Sequence, residues 1–123
     1  MAEKFLLDSN ICIYLLEDLS PRLTARARAQ TMGSMYVSVI SLAEISMGFG
    51  DKTDQLSAFM VDVEPVDFDQ RAAMQYARIP FKRARFDRLI AAHAISLGFT
   101  LVTNNERDFA DIPGLKIENW TQE

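Results

Sequence analysis

The chain has 123 residues, of which 49% are hydrophobic and 24% are charged, and its formal net charge at pH 7 is -4. This length suits one domain, residues 1–123, with a single core, and the composition excludes a disordered or collagen-like chain. The negative charge excludes binding of nucleic acid by the whole surface, so a polyanion would have to bind at a local basic patch.

The first half of the chain alternates apolar or β-branched runs, which predict strands, with runs that open on helix N-cap residues. In chain order, the predicted elements are a strand at 4–7, a helix at 11–16, a helix from Ser20-Pro21 to Gly33, a strand at 35–40 and a helix from Ser41 to near Gly48. The first helix contains Cys12, which we expect to be a free thiol in the core.

The second half continues this alternation. In chain order, we predict a weak helix at 52–60, a strand at 61–66, a helix from Asp69 to about Ala77, a helix at 86–97, a strand at 99–103, a short helix at 106–110 and a strand at 115–118. Pro65 favours an edge position for its strand, since proline cannot donate to the sheet. The whole pattern predicts an α/β fold with a mostly parallel sheet flanked by helices, and ligands bind beyond the carboxyl ends of such strands.

Acidic residues recur where the predicted strands end. Asp8 follows the first strand, Glu44 lies four residues past the second, Asp87 begins the long helix, and Asn105 to Asp108 follow the strand at 99–103. Converging carboxylates raise one another's pKa values and cost stability unless a cation offsets them. Oxygen ligands without a nearby zinc-binding pair favour Mg²⁺ or Mn²⁺, and such ions support phosphodiester hydrolysis by an activated water.

Each acidic residue also has a purely structural interpretation. Asp8 could be only a helix N-cap, Ser41 and Glu44 fit a capping box, and Asp87 could merely complement a helix macrodipole. Three such coincidences would have to fall together at the edge where a parallel sheet binds ligands. We therefore favour a functional cluster.

A basic run lies before and within the long helix. Five of the thirteen Lys and Arg residues fall within eleven positions: Arg78, Lys82, Arg83, Arg85 and Arg88. They form either a solvated helix entrance or a rim that guides phosphates to the site, and the sequence does not choose between the two. We expect His93 and Trp120 to pack in the core rather than act on a substrate.

Four motifs follow one another along the chain: Asp8-Ser9-Asn10 after a strand, the segment from Ser38 to Glu44, the segment from Asp87 to Ala94, and Leu101 to Asn105, with Pro113-Gly114-Leu115 and Asn119-Trp120 closing the sequence. In these motifs, over nearly its full length, the chain resembles the PIN-domain ribonucleases, specifically the VapC-type toxins. The resemblance implies a single PIN-like α/β domain. It also implies a Mg²⁺-dependent endoribonuclease, with Mn²⁺ as a substitute, that is the toxin of a toxin–antitoxin system.

The resemblance further implies roles for individual residues. It makes Asp8 and Asp87 the direct metal ligands, and Glu44 a ligand or an acid that orients water. The supporting polar residues that it implies are Ser9, Asn10, Thr103 and Asn105. The candidate RNA-steering residues come from the basic run instead of the resemblance, and they are Lys82, Arg83, Arg85 and Arg88.

The sequence departs from the family pattern at two places. Asn105 stands where relatives often have a fourth acid, which leaves Asp108 or Glu106 as the substitute and leaves the number of metal ions open. The segment 78–86 is also short and basic where relatives more often carry a Gly-rich, Pro-containing loop.

The implied partners are an RNA substrate, a cognate antitoxin that makes any DNA contact, and a second copy of the chain, with Phe49, Phe59 and Met60 as apolar surface candidates. No apolar run approaches the roughly 18 residues of a membrane helix and no secretory signal is visible, so we expect a cytoplasmic protein without membrane contact.

Two other functions are possible for such a sequence. One is a catalytically weak PIN-fold module that binds RNA or a partner. The other is a phosphoacceptor receiver domain, which would need a lysine just after the last strands, whereas Lys116 lies near the start of the final predicted strand.

Overall fold

Five short strands form one parallel sheet in the computed structural model, which describes residues 3–49, 53–80 and 85–122. The strands are β1 (Phe5–Leu7), β2 (Met35–Ser38), β3 (Glu64–Val66), β4 (Thr100–Val102) and β5 (Ile117–Glu118). Their order across the sheet is β3-β2-β1-β4-β5, and every neighbouring pair is parallel. The central strand is therefore the first one in the sequence.

Helices connect these strands. They are α1 (Ser9–Leu16), α2 (Pro21–Arg28), α3 (Val39–Phe49), α4 (Thr53–Asp62), α5 (Gln70–Tyr76) and α6 (Arg85–Leu97), followed by a short 3₁₀ helix (Glu106–Phe109). The predicted α/β fold with a parallel sheet flanked by helices is confirmed. Pro65 lies in β3, which is an edge strand as predicted.

Both faces of β1 are buried, which explains why this strand is a continuous apolar run rather than an alternating one. Leu6 faces one core, where the apolar side of α6 packs against it. Phe5 and Leu7 face the other core, which α1 to α4 cover. The sheet therefore lies between two layers of helices, and its central strand is buried on both faces.

Several predicted boundaries are wrong. The helix predicted to reach Gly33 ends at Arg28, and the strand predicted at 61–66 begins only at Glu64 because α4 extends to Asp62.

The junction of β2 and α3 also differs from its prediction. The strand stops at Ser38 and the helix begins at Val39, two residues before the predicted start at Ser41. The Ser38 hydroxyl accepts a hydrogen bond of 3.1 Å from the backbone N–H of Ile40, which satisfies one free donor of the new helix. Ser41 therefore lies inside the helix and is fully buried.

Three residues predicted to lie in the core do so. Cys12 is a free, fully buried thiol. His93 is 1% exposed, and its Nδ1 lies 2.9 Å from the Ser38 hydroxyl. The buried ring of Trp120 packs edge-on against Phe5, with ring centroids 4.9 Å apart.

The apolar residues expected at a dimer surface differ in their placement. The side chain of Phe59 packs against the core and is half-buried, so it is a weaker surface candidate than predicted. Met60 is also half-buried, and the side chain of Phe49 lies outside the described part of the structure. Across the described ranges, none of the helices combines the length and the apolar character needed to cross a bilayer.

Candidate functional site

The carboxyl end of β1 positions Asp8. Its backbone N–H donates a 3.0 Å hydrogen bond to the carbonyl of Val102 in the neighbouring strand, which continues the sheet by one residue. Its side chain then caps α1, because Oδ1 accepts a 2.9 Å bond from the N–H of Ile11. The N-cap interpretation of Asp8 is therefore correct. It does not exclude a second role, since the carboxylate has a second oxygen.

Glu44 lies on α3 and reaches the same end of the sheet. Its Oε1 accepts a 2.7 Å hydrogen bond from the hydroxyl of Ser9, a residue 35 positions earlier in the chain. The proposed capping box with Ser41 is wrong, because α3 has already begun two residues before that serine. The glutamate is thus held by a residue of α1 instead of by the start of its own helix.

Asp87 lies in the first turn of α6, and its side chain is half-buried. The helix is fixed on the sheet by fully buried residues that pack with Leu6 and Leu101, namely Ile90, Ala91 and Ala94. This packing directs the first turn of α6 towards the end of the sheet where Asp8 lies. The charges of Asp8 and Asp87 interact in the structure.

The residues after β4 complete this edge. Thr103 is fully buried and its hydroxyl bonds to the Asp8 carboxylate. The same hydroxyl accepts a 3.1 Å bond from the N–H of Asn105, whose side-chain amide in turn donates to Oδ2 of Asp108. A chain of hydrogen bonds thus links the β1 end to the 3₁₀ helix.

The electrostatics of the site are those of a crowded set of acids. The pKa of Asp8 is raised from 3.8 to about 6, chiefly by burial. Hydrogen bonds from Thr103 and Ile11 oppose the rise, and the charges of Asp87 and Glu44 contribute to it. Burial also raises the pKa of Asp87. The charges of Asp108 and Glu44 add to that rise, and the Arg88 guanidinium opposes it.

The donor set suits a small hard cation. All the groups named are carboxylate, hydroxyl or amide oxygens, which are the ligands of Mg²⁺ and Mn²⁺. Within residues 3–49, 53–80 and 85–122, no three acidic, histidine or cysteine side chains are close enough together to enclose a metal ion by themselves. That arrangement fits Mg²⁺, which usually takes one or two carboxylates and completes its shell with waters and phosphate oxygens.

The structure corrects one predicted RNA-steering residue. Arg88 is 2% exposed and its guanidinium makes a two-pronged ion pair with Asp111, at 2.8 and 3.2 Å. A buried guanidinium that is paired with Asp111 cannot guide phosphates across the surface. Lys82 and Arg83 lie outside the described residues, as does the side chain of Arg85.

The remaining polar residues are at the surface. Asn10 is exposed in the first turn of α1, and Arg78 is exposed after α5. Glu106 is exposed in the 3₁₀ helix, and among the acids that follow β4 it is Asp108 whose charge acts on Asp87. The catalytic, metal and supporting roles assigned to these residues stay predictions.

Sequence reasoning missed the ion pair of Arg88 with Asp111. A signal was available, because residues three, four and seven positions apart share one face of a helix. Arg88 therefore shares a face with Ala91, Ala92 and Ile95, of which the two alanines are fully buried. An arginine on that face is expected to be buried and paired.

Comparison with a family model and with known proteins points to one family. Residues 5–115 match the family model described as PIN domain. The chain is 33% identical to the "tRNA(fMet)-specific endonuclease VapC" of Salmonella typhimurium, over 95% of this chain and 98% of that protein.

Solved structures agree with this assignment. The fold superposes with a TM-score of 0.82 on a chain of the DNA-bound VapBC from Salmonella typhimurium, at 32% identity over 96% of this chain and 98% of that one. It superposes with a TM-score of 0.81 on a chain of the VapBC2 complex from Rickettsia felis, which is bound to a DNA fragment from the VapBC2 promoter. The identity is 30%, over 94% of this chain and 98% of that one. The chain therefore belongs to the PIN-domain family, as a ribonuclease toxin of the VapC type.

Proposed function

We propose that this chain hydrolyses RNA phosphodiester bonds with a divalent ion held by Asp8 and Asp87 at the carboxyl end of the sheet. The observation that carries the proposal is the position of the Asp8 carboxylate. It is 5% exposed, yet it faces the negative charges of Asp87 and Glu44. Buried like charges are costly, and a bound cation would offset that cost.

A divalent ion held here by Asp8 and Asp87 would lower the pKa of water to near neutral pH and would offset negative charge on the scissile phosphate. Mg²⁺ is the proposed ion, and Mn²⁺ is its substitute. The residues of the chain hold and orient the reacting groups. Asp8 is fixed by the Ile11 N–H and the Thr103 hydroxyl, so its carboxylate keeps one direction.

Glu44 has a separate proposed role. The hydroxyl of Ser9 donates to Oε1, which leaves Oε2 to accept a proton from the attacking water. Asp108 is proposed as the fourth acid in place of Asn105, because its charge acts on Asp87 and the Asn105 amide holds its carboxylate. Asn105 then has a supporting role rather than being a missing ligand.

The proposed substrate is structured cellular RNA, and transfer RNA is the first candidate. The Salmonella typhimurium relative is named as specific for tRNA(fMet), and this chain matches it over nearly its whole length. RNA of this kind is recognised through its loops and unstacked bases. The proposed compartment is the cytoplasm, where such RNA is found.

The test is cleavage of total cellular RNA and of tRNA(fMet), with EDTA, Mg²⁺ or Mn²⁺, followed by mapping of the cut ends. Asp8→Asn and Asp87→Asn should abolish cleavage while the fold is retained, because asparagine keeps the shape and the capping ability of aspartate. Asp69→Asn is the matched control. Asp69 caps α5 through a 3.0 Å bond to the Ala72 N–H, in the same way as Asp8 caps α1.

Full cleavage by either site variant, or equal cleavage in EDTA, would refute the proposal. Binding of RNA without any cleavage in Mg²⁺ or Mn²⁺ would instead favour the second candidate, a PIN-fold module that only binds RNA. The observation that motivates this candidate is Asn105, an amide at a position where an acid is common in the family.

The proposed partners are a cognate antitoxin and a second copy of the chain. Structures of related chains are described as VapBC complexes bound to DNA, so the proposed DNA contact runs through the antitoxin. Expression of the chain alone should arrest growth, and co-expression with the antitoxin should restore it. Harmless overexpression of the folded protein contradicts the toxin proposal, and a monomeric mass in solution contradicts the homodimer.

A further inference from the structure

Arg88 occupies a central position beside the proposed metal site. It follows Asp87 directly on α6, and it is one of the largest fully buried side chains among the described residues. Burying a guanidinium costs several kcal/mol unless the geometry of its partners is excellent. Because Arg88 is buried, it does not serve merely to keep the surface of the protein soluble, and its contacts need another explanation.

The guanidinium of Arg88 joins three segments of the chain. Its Nη2 lies 2.8 Å from Oδ1 of Asp111 and 3.2 Å from the backbone carbonyl of Asp108. Its Nη1 lies 3.2 Å from Oδ2 of Asp111 and 3.4 Å from the carbonyl of Pro80. The first turn of α6 is thereby tied to the 3₁₀ helix, to Asp111 just beyond it and to the segment that follows α5.

The two segments joined by this side chain carry the acids Asp87 and Asp108, which repel each other. Asp108 is exposed and lies on a short 3₁₀ helix, an element with poor hydrogen-bond geometry that does not by itself fix a side chain. The bond from Arg88 to the backbone of that same residue counters the repulsion. The bond holds the carbonyl oxygen of Asp108, which is close along the backbone to the Cα that carries the Asp108 side chain.

We propose that Arg88 is a positioning residue that holds Asp108 against Asp87, and so sets the fourth carboxylate of the metal site. The inference rests on the proposed function, because it assumes that the two acids share a divalent ion. Stability alone does not require the ion pair, since well-packed apolar residues often replace such pairs without loss. A lysine would not suffice either, because one ammonium cannot bind the carboxylate by two prongs and the carbonyl at once.

The test is a double-mutant cycle on Mn²⁺ affinity, measured by electron paramagnetic resonance with the purified full chain. Arg88→Lys should weaken Mn²⁺ binding about tenfold or more, as the loss of a ligand-orienting contact usually does. Asp108→Asn should weaken it by a similar factor. The double variant should bind no worse than Asp108→Asn alone, because the arginine acts through that aspartate.

A matched control is Arg26→Lys. Arg26 forms a 3.6 Å ion pair with Glu118 and lies over the ring of Trp120, away from Asp87 and Asp108. It should leave Mn²⁺ affinity unchanged. Thermal unfolding in EDTA reports any effect on the fold itself, so loss of stability and loss of metal affinity are measured separately.

If Arg88→Lys does not fold, Arg88→Met combined with Asp111→Asn removes both charges without leaving one of them orphaned, and it enters the same cycle. Mn²⁺ affinity within twofold of wild type in the folded variant, or losses that multiply with those of Asp108→Asn, would overturn the inference. Absence of Mn²⁺ binding by the wild-type chain would instead overturn the proposed function, so the two failures are distinguishable.

Discussion

The hydroxyl of Ser9 donates a 2.7 Å hydrogen bond to Oε1 of Glu44 and thereby joins the first turn of α1 to the second turn of α3. These helices follow neighbouring strands. The bond therefore fixes the position of Glu44 relative to Asp8, because Ser9 directly follows Asp8 in the chain. Both helices are held by the same core.

Removing the Ser9 hydroxyl should therefore impair catalysis more than folding. Ser9→Ala is expected to lower kcat for RNA cleavage about 10- to 100-fold, the usual effect of losing a contact that orients a ligand. Ser9→Thr should recover much of the rate because it keeps the donor. Ser20→Ala is the control: Ser20 caps α2 through the Leu23 N–H, so stability should fall by about 0.5–2 kcal/mol while kcat stays unchanged.

The raised pKa of Asp8 predicts how the metal-free protein responds to pH. The folded-state pKa is about 6 and the ordinary value is 3.8, so the folded state favours the protonated carboxyl. The associated stability is fully present below about pH 4 and is lost as pH rises through about 6, at a cost of about 3 kcal/mol. Urea unfolding in EDTA between pH 4 and 8 measures this loss.

Asp8→Asn should remove most of that loss, since the amide carries no charge and still caps the helix. At pH 7 in EDTA the variant should be more stable than the wild type. Mg²⁺ should stabilise the wild type at that pH and leave the variant almost unaffected. A wild type that gains stability between pH 4 and 6 in EDTA would contradict the burial argument for this carboxyl.

The identity of the fourth acid can be tested by comparing two neighbours on the 3₁₀ helix. Asp108→Asn should lower cleavage about tenfold or more, because its carboxylate is the one that acts on Asp87. Glu106→Gln should leave cleavage within about twofold, since this exposed residue has the same charge but a different direction on the helix. Equal losses in the two variants would mean that the two acids act only through overall charge.

A substitution at Trp120 can show whether this ring serves core packing or stacking on RNA bases. Its ring is fully buried against Phe5, and its Nε1 donates a 2.9 Å bond to Glu118. Trp120→Ala should lower the free energy of unfolding by about 3–5 kcal/mol. Cleavage measured per folded molecule, at a temperature where the variant is folded, should be unchanged. A selective rise in KM for RNA would instead assign the ring to base stacking.

Much of the fold follows from local patterns. The apolar runs at β1 and β4 and the apolar face of α6 predict a parallel sheet, and the carboxyl ends of its strands locate the acids. Helix starts are less certain, because Ser38 and Ser41 are both suitable caps. The structure selects Ser38, since the strand pairs only as far as that residue.

The basic run does not reveal the environment of Arg88, because the positions of charges along the chain do not show which side of the helix each one occupies. Arg88 lies on the face of α6 that carries Ala91 and Ala92, so its neighbours in space are apolar residues and the backbone near Asp108. Its partner Asp111 is 23 positions away, and no local pattern connects the two. Long-range pairs of this kind depend on how the helix docks.

The order of the strands also determines how late in synthesis the central strand can gain both of its neighbours. β1 lies in the middle of the sheet, yet Phe5 pairs with Thr100, about 95 residues later. At ribosomal speeds the two strands emerge about 5 to 20 s apart. A nascent chain interrupted before β4 leaves one side of its central strand open and lacks Thr103 and Asp108, so we expect it to be degraded by proteases and to have no nuclease activity.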